Sequence, residues 1–405
     1  MSGPDRTALV LATAAGDRRI VTGLTLGERG RRVATRAGFT GDRLVVVTTV
    51  DELRAAQPRL AGPLVVIDAR DQVVAAELFA ALEPERPGAR HAIDPARGDA
   101  AVGALVVDAG DAAAVLAALV ADFAGGVATA SPAASTAVPV PRRARFPVPD
   151  RASVRAADKW QYELVDKPLD SWLCRYFYRP LARPLTKLFL RSPFTPNAIS
   201  VISIILSLVG CAIAAGPSRM DHIVGLAILV AGGIVDANDG EVARLRLEMS
   251  KAGAWLDAIG DDMARLALVA GIGVHVSHLH PDWHALPITG AALAMTVASL
   301  VLIYWYCIFV IHSTNNQDYT KALEIGPGNR PDAPRTVVDV VIDWAAQIVR
   351  RDFIDLGVLA TALFAVSEIA FVGLAVGALV TLIVVIPTHL KIVKSLRAER
   401  AAART

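Results

Sequence analysis

Hydrophobic positions fall into two regimes along the chain. Beyond Asn197 they merge into six long apolar stretches, at about 197–216, 220–243, 254–276, 285–311, 354–373 and 375–395. Each is close to the roughly 20 residues that a helix needs to cross a bilayer. Before Pro149 the apolar runs are short and separated by charged and Gly-rich segments. Ala8–Ala12, Leu44–Thr48, Leu64–Asp68 and Leu105–Asp108 read as strands, and Leu26–Ala37 reads as a helix. Strands alternating with helices predict a parallel sheet covered by helices. The pattern therefore predicts an α-helical integral membrane protein with six transmembrane helices, preceded by a soluble α/β domain. The expected divisions are the α/β domain at 1–125, an Ala/Ser/Pro-rich linker at 126–150, an amphipathic interfacial segment at 151–196 and the membrane domain at 197–398.

Charge orients these elements. Arg175, Arg179, Arg183, Lys187 and Arg191 precede the first stretch, and Arg244, Arg246 and Lys251 follow the second. Lys321, Arg330, Arg335, Arg350 and Arg351 follow the fourth, and Lys391, Lys394, Arg397, Arg400 and Arg404 close the chain, whereas the opposite loops carry only Arg219. The positive-inside rule then puts both termini and the second loop on the cytoplasmic side of a plasma (inner) membrane. No secretory signal is expected, because Asp17, Arg18, Arg19 and Glu28 interrupt the first thirty residues. The net charge of +2 across 405 residues is too small to suggest a nucleic-acid partner, and the basic residues cluster where lipid or nucleotide phosphates would lie. Cys174, Cys211 and Cys307 are far apart and read as small core residues. His275, His278, His280 and His284 fall in the opposite loop and read as a polar loop, not a metal site.

The chemistry lies between the second and third stretches. Asp236 and Asp239 stand three apart and Asp257 and Asp261 four apart, so each pair shares one face of its own helix. Unpaired, four intramembrane carboxylates would cost roughly 10 kcal/mol on insertion scales. Divalent cations would cancel that cost, and an all-oxygen set without His or Cys suits Mg²⁺ or Mn²⁺ better than zinc. Gly240 and Gly253 are expected where helix meets loop, and Arg244 adds a fixed cation for phosphate. Asp262 points about 100° away from Asp261 and is expected to act behind it.

Asp236, Asp239, Gly240, Ala243, Arg244, Gly253, Asp257 and Asp261 fill every fixed position of Asp-x-x-Asp-Gly-x-x-Ala-Arg, eight residues, Gly-x-x-x-Asp-x-x-x-Asp. This closely resembles the signature of the CDP-alcohol phosphotransferase family. The resemblance implies transfer of a phosphoalcohol group from a CDP-alcohol to the hydroxyl of an acceptor alcohol, with release of CMP. It further implies two Mg²⁺ or Mn²⁺ ions on Asp236, Asp239, Asp257 and Asp261, with Asp261 as general base. A nucleotide pocket would be lined by Asp236, Asp239, Gly240, Ala243, Arg244 and Gly253, and family members form homodimers. A transporter using the same carboxylates as an ion relay is the alternative, although it predicts acids spread along a path and these cluster near one side.

Upstream, Trp172, Tyr176 and Phe177 lie among arginines, as in a helix resting in the headgroup layer of membrane lipid. Arg179 and Arg183, one turn apart, could hold an acceptor phosphate. Thr195-Pro196-Asn197 is a plausible helix start, with Asn able to cap. The stretch 170–197, with Arg351-Asp352-Phe353, is similar to the family branch that makes di-myo-inositol phosphate phosphate. The α/β half in turn resembles a Rossmann-like sugar-phosphate nucleotidyltransferase domain. Its expected phosphate loop reads Leu11-Ala-Thr-Ala-Ala-Gly16-Asp17-Arg18-Arg19, with one glycine and an added acid. Asp17 would repel pyrophosphate, so the half reads as degenerate, with an active cytidylyltransferase as the alternative.

Overall fold

A computed structural model describes residues 6–13, 19–132, 134–165, 171–313, 319 and 350–402. The chain divides into two compact units, Met1–Lys167 with Arg244–Leu247, and Pro168–Ala243 with Glu248–Thr405.

The first unit is a sheet clad on both faces. Its strands are β1 (Thr7–Leu11), β2 (Ile20–Val21), β3 (Leu24–Thr25), β4 (Leu44–Val47), β5 (Leu64–Asp68), β6 (Gln72–Val74), β7 (Arg90–Asp94), β8 (Ala100–Val107), β9 (Thr136–Pro139) and β10 (Arg145–Pro147). Its helices are α1 (Leu26–Arg36), α2 (Val50–Ala56), α3 (Ala76–Leu82), α4 (Ala109–Ala121), α5 (Val127–Ala130) and α6 (Val154–Val165). Six strands form one sheet in the order β4-β1-β5-β8-β7-β9.

Side chains alternate across a strand, and the central strands use that period to bury both faces. Ala8 and Val10 of β1 pack with Val33 and Ala34 of α1 and with Leu78 of α3. Leu9 and Leu11 pack on the other face with Leu53 of α2 and Val115 of α4. β1 pairs parallel with β4 and β5, as the alternation of elements predicts. β8, however, runs antiparallel to both β5 and β7, so the sheet is mixed. The cause is local: a short turn at Pro95–Arg97, with Asp99 at φ 60°, folds β8 back on β7 without a crossover helix. The expected linker at 126–150 contains α5, then β9, which extends the sheet beside β7, and β10, which pairs with β6. The expected phosphate-loop residues Gly16, Asp17 and Arg18 lie outside the described residues.

Arg29, on α1, is 2% exposed and donates to Gln161 Oε1 (3.0 Å), Thr22 Oγ1 and the Val21 carbonyl (3.4 Å). Burial pushes its guanidinium down to about 10, opposed by the charge of Asp158, so it stays charged near neutrality. Arg29→Met is expected to strand these acceptors and to destabilise the unit by about 2 kcal/mol. The check is hydrogen exchange over residues 6–165 of the full chain, and unchanged protection of β1 would count against it.

The second unit is helical. A π-helical turn, Cys174–Tyr178, leads into α7 (Arg179–Arg191), followed by α8 (Pro196–Ala214), α9 (Arg219–Arg246), α10 (Lys251–Leu279), α11 (Ala285–Phe309), α12 (Arg351–Leu363) and α13 (Ser367–Ala402). Thr195, not Asn197, caps α8, accepting from the Ala198 amide at 3.2 Å, with Pro196 opening the first turn. Along α8 the usual radial order is reversed. Ser200, Ser203, Ser207, Gly210, Cys211 and Ala214 face inward, while Val201, Ile205, Val209 and Ile213 are exposed. Small residues inside and branched aliphatics outside suit a helix whose surroundings are hydrocarbon.

The small inward residues allow backbone contact between neighbours. A Cβ on Gly225 of α9 would lie 2.2 Å from the Ala214 amide nitrogen and 2.4 Å from the Gly210 carbonyl oxygen. Pro196–Ala214, Arg219–Arg246, Ala285–Phe309 and Ser367–Arg397 are the helices long and apolar enough to cross a membrane among the described residues. The six expected spans are thus six helices, of which four meet that description. α10 is long but carries Asp257, Asp261, Asp262 and Arg265 in its first half, and α12 has only 13 residues. α12 ends earlier than expected because the chain turns at Phe364–Val366, with Ala365 at φ 58°, and not near 374.

Candidate active site

α9 and α10 bring the predicted carboxylates together, though not all four equally. Asp236, Asp257 and Asp261 each offer a carboxylate oxygen within 4.8 Å of the others. Asp239 stands outside this group. Its Oδ2 accepts from the Ser200 hydroxyl, and its Oδ1 faces the Gly240 amide. Among the described residues no other cluster of acids, histidines or cysteines has metal-holding geometry. His275 instead stacks on His222, ring centroids 3.7 Å apart, and His280 pairs with Glu368 at 2.7 Å.

α8 orients the acids. Ser200, Ser203 and Ser207 recur at helical spacing on its buried face. Ser203 Oγ stands 2.9 Å from Asp236 Oδ1 and 3.1 Å from the Gly232 carbonyl, and can donate its one proton to either. Gly232 has no room for a side chain, since a Cβ there would sit 2.7 Å from Ser207 Oγ. The close approach of α8 to α9 is therefore what brings hydroxyl to carboxylate.

α12 supplies a cation that sequence reasoning did not place in the site. Arg351 donates through Nη1 to Asp236 Oδ2 (3.2 Å) and to Asp261 Oδ1, and through Nη2 to Ser207 Oγ (3.1 Å). Its Nε lies 3.4 Å from Asp355 Oδ2, one turn further along α12. Asp352 and Phe353 tie α12 to the segment before α7: the Ser171 hydroxyl donates to Asp352, and Trp172 meets Phe353 at 5.3 Å. The signals were present as Arg351 and Asp355 at i, i+4 and as serines repeating within an apolar stretch.

The remaining predicted residues are spread around this centre. Gly240 lies inside α9, which continues to Arg246, and not at a helix–loop boundary. Ala243 and Arg244 follow within the last turns of the same helix. Gly253 is in the first turn of α10, where a Cβ would come within 2.9 Å of Asn197 Oδ1. Arg179 and Arg183 do not share an environment. Arg179 is buried with Nη1 3.8 Å from Glu241 Oε2, whereas Arg183 is exposed. Glu241 and Asn238 meet Thr186 Oγ1 at 2.6 and 2.7 Å, so this face of α9 fastens α7. Arg179 thus lies beside the contact that packs α7 on α9. Asp262 turns to the Tyr304 hydroxyl of α11 at 2.6 Å.

Three hard oxygens within 4.8 Å fit a divalent cation, because two oxygens on one such ion are at most about 5 Å apart. No nitrogen or sulfur ligand joins the group, which disfavours zinc. Residues 194–319 match the family model described as CDP-alcohol phosphatidyltransferase. The chain is 29% identical over 124 residues to the "Bifunctional IPC transferase and DIPP synthase" of Aquifex aeolicus strain VF5, covering 31% of this chain and 27% of that protein. It is 37% identical over 86 residues to the protein of the same name from Rubrobacter xylanophilus, covering 21% of this chain and 19% of that one. The chain thus spans about a quarter or less of the length of these relatives. Residues 194–319, which hold all four motif aspartates, form a CDP-alcohol phosphatidyltransferase domain.

Proposed function

We propose that the helical unit transfers a phosphoalcohol group from a CDP-alcohol to an acceptor alcohol and releases CMP. The convergence of Asp236, Asp257 and Asp261 from two helices is the observation that carries this reading. Asp239, one turn from Asp236, completes the expected ligand set for two Mg²⁺ or Mn²⁺ ions once its contact with Ser200 is exchanged. When bound, such ions supply charge neutralisation for the diphosphate and the departing CMP. Asp261 takes the proton of the attacking hydroxyl. That oxygen bonds to the phosphorus bearing the donor alcohol, and the bond to the bridging oxygen breaks, so CMP leaves with it. Ser203 holds Asp236 in orientation, and Arg351 keeps a positive charge close to the acids. Gly240, Ala243, Arg244 and Gly253 line the nucleotide.

Both matched relatives carry "DIPP synthase" in their names, which favours a soluble inositol phosphate acceptor over a lipid-linked donor. The α/β unit is taken as a degenerate nucleotidyltransferase-like domain. All six helices α8–α13 are taken as spanning the cytoplasmic membrane, with both termini and the carboxylates on the cytoplasmic side, in a homodimer. Clustering of the acids at one level supports transfer chemistry over ion transport.

The test is purified full-length chain in detergent with Mg²⁺ or Mn²⁺ and a panel of CDP-alcohols and acceptors, with CMP as the readout. Excess EDTA is expected to abolish CMP release and added Mg²⁺ to restore it; release that persists in chelator would refute the metal role. With CTP and inositol 1-phosphate no pyrophosphate is expected, and its appearance would overturn the degenerate reading of the α/β unit.

A further inference from the structure

We propose that Arg351 and a divalent cation compete for the carboxylates of Asp236 and Asp261, and that Asp355 is the positioning residue that takes up the Arg351 guanidinium when the cation binds. The proposal rests on the metal reading above and concerns how the site exchanges one cation for another. Three groups on three other helices hold the guanidinium. Nη1 faces Asp236 of α9 and Asp261 of α10, and Nη2 faces Ser207 of α8. Asp236 and Asp261 are also two of the three acids whose oxygens converge for a metal. A guanidinium and a divalent cation would both draw on the Asp236 and Asp261 carboxylates, and at that range their like charges repel, so the two compete for the same pair of acids.

The competitor has somewhere to go. Asp355 is 3% exposed, and its Oδ2 makes no hydrogen bond, although Arg351 Nε stands 3.4 Å away. Nε likewise makes no hydrogen bond, so the guanidinium is engaged on its Nη edge and only loosely on its Nε edge. A small rotation about the side chain would convert that loose ion pair into a hydrogen-bonded one and release Asp236 and Asp261. Because both partners lie on α12 at i, i+4, no helix has to move. Buried acids would then be charge-compensated in either state, which a low-dielectric interior requires.

Mn²⁺ affinity of the full-length protein in detergent, measured by electron paramagnetic resonance without nucleotide, tests this independently of catalysis. Arg351→Gln removes the competing charge and is expected to tighten Mn²⁺ binding about tenfold or more. Asp355→Asn removes the alternative partner and is expected to weaken it several-fold, whereas Asp355→Glu, which keeps a carboxylate, stays within about threefold of the unsubstituted protein. The double variant is expected to match Arg351→Gln alone, because Asp355 acts through the arginine. Equal or weaker binding in Arg351→Gln would overturn the proposal. So would a loss from Asp355→Asn that is the same size in the Arg351→Gln background, since that is simple charge removal. If Arg351→Gln does not purify as a monodisperse species, the contrast between Asp355→Asn and Asp355→Glu decides, and equal affinities there would refute the role of Asp355. An unsubstituted protein that binds no Mn²⁺ at millimolar concentration would sink the metal reading itself, whereas Mn²⁺ binding without CMP release would spare this proposal and count against the transferase reading.

Discussion

Asp261→Asn is expected to lower CMP release by about 10³-fold or more, because it removes both a proton acceptor and a metal-facing oxygen. General-base loss alone typically accounts for about 10²–10⁴-fold. Asparagine keeps the shape of the side chain and still offers an oxygen to Arg351, so the helix arrangement should survive. The readout is kcat for CMP release at saturating Mg²⁺, together with Mn²⁺ affinity. A large fall in kcat with Mn²⁺ still bound assigns the proton-transfer role, and a fall that extra metal fully reverses would assign only a ligand role. A variant as active as the unsubstituted protein would remove Asp261 from the mechanism. Asp257→Asn is the comparison, since Asp257 shares the oxygen cluster but is the exposed member of it.

Gly225→Val is expected to be the most damaging substitution away from the carboxylates. The atoms that a Cβ would meet belong to the backbone of α8, at 2.2 Å from the Ala214 nitrogen and 2.4 Å from the Gly210 oxygen, and backbone cannot rotate aside. Overpacking of a close interior costs about 1–3 kcal/mol even when side chains can yield, and here they are not the obstacle. The two helices must separate, and that separation is transmitted to Ser203 and Asp236, which depend on the same crossing. Thermal unfolding in detergent and CMP release should therefore fall together. Gly290→Val on α11 is the control, because nothing lies within 4 Å of a Cβ there. If Gly225→Val unfolds at the same temperature as this control, the crossing is not what sets stability.

Legibility of the fold varied with the kind of signal. The alternation in β1 and β5 was readable because both faces are buried against helices, leaving apolar runs bounded by charged or glycine-containing segments. The antiparallel return of β8 was not, since direction is set by the Pro95–Arg97 turn and not by the strand's own residues. β9 and β10 were hidden in an Ala/Ser/Pro-rich composition that resembles a spacer, yet each supplies pairing to a strand already formed elsewhere. For the helical unit, length and hydropathy located the helices but could not fix the turn at Ala365, which interrupts a stretch with no polar marker.

The site was legible where spacing carried it. Asp236, Asp257 and Asp261 follow from helical periodicity alone, once α9 and α10 are taken to face each other. Asp239 was grouped with them because three residues make nearly one turn, but Ser200 draws it aside. Arg179 and Arg183 were paired by the same spacing argument. That argument could not see that Glu241, outside the fixed motif positions, gives Arg179 an inward partner. Arg351 and Asp355 come from a helix about 90 residues further along the chain than Asp261. The i, i+4 spacing marks the two as a pair on one helix, but it does not say which acids they meet across that separation.

The hydroxyl row on α8 has one more consequence. Toward Asp236 a serine gives its proton, and toward Arg351 another serine receives one, so this face of α8 can answer either sign of charge. A face of that kind is amphoteric: it can meet an anion or a cation without contributing a charge of its own that either would have to neutralise.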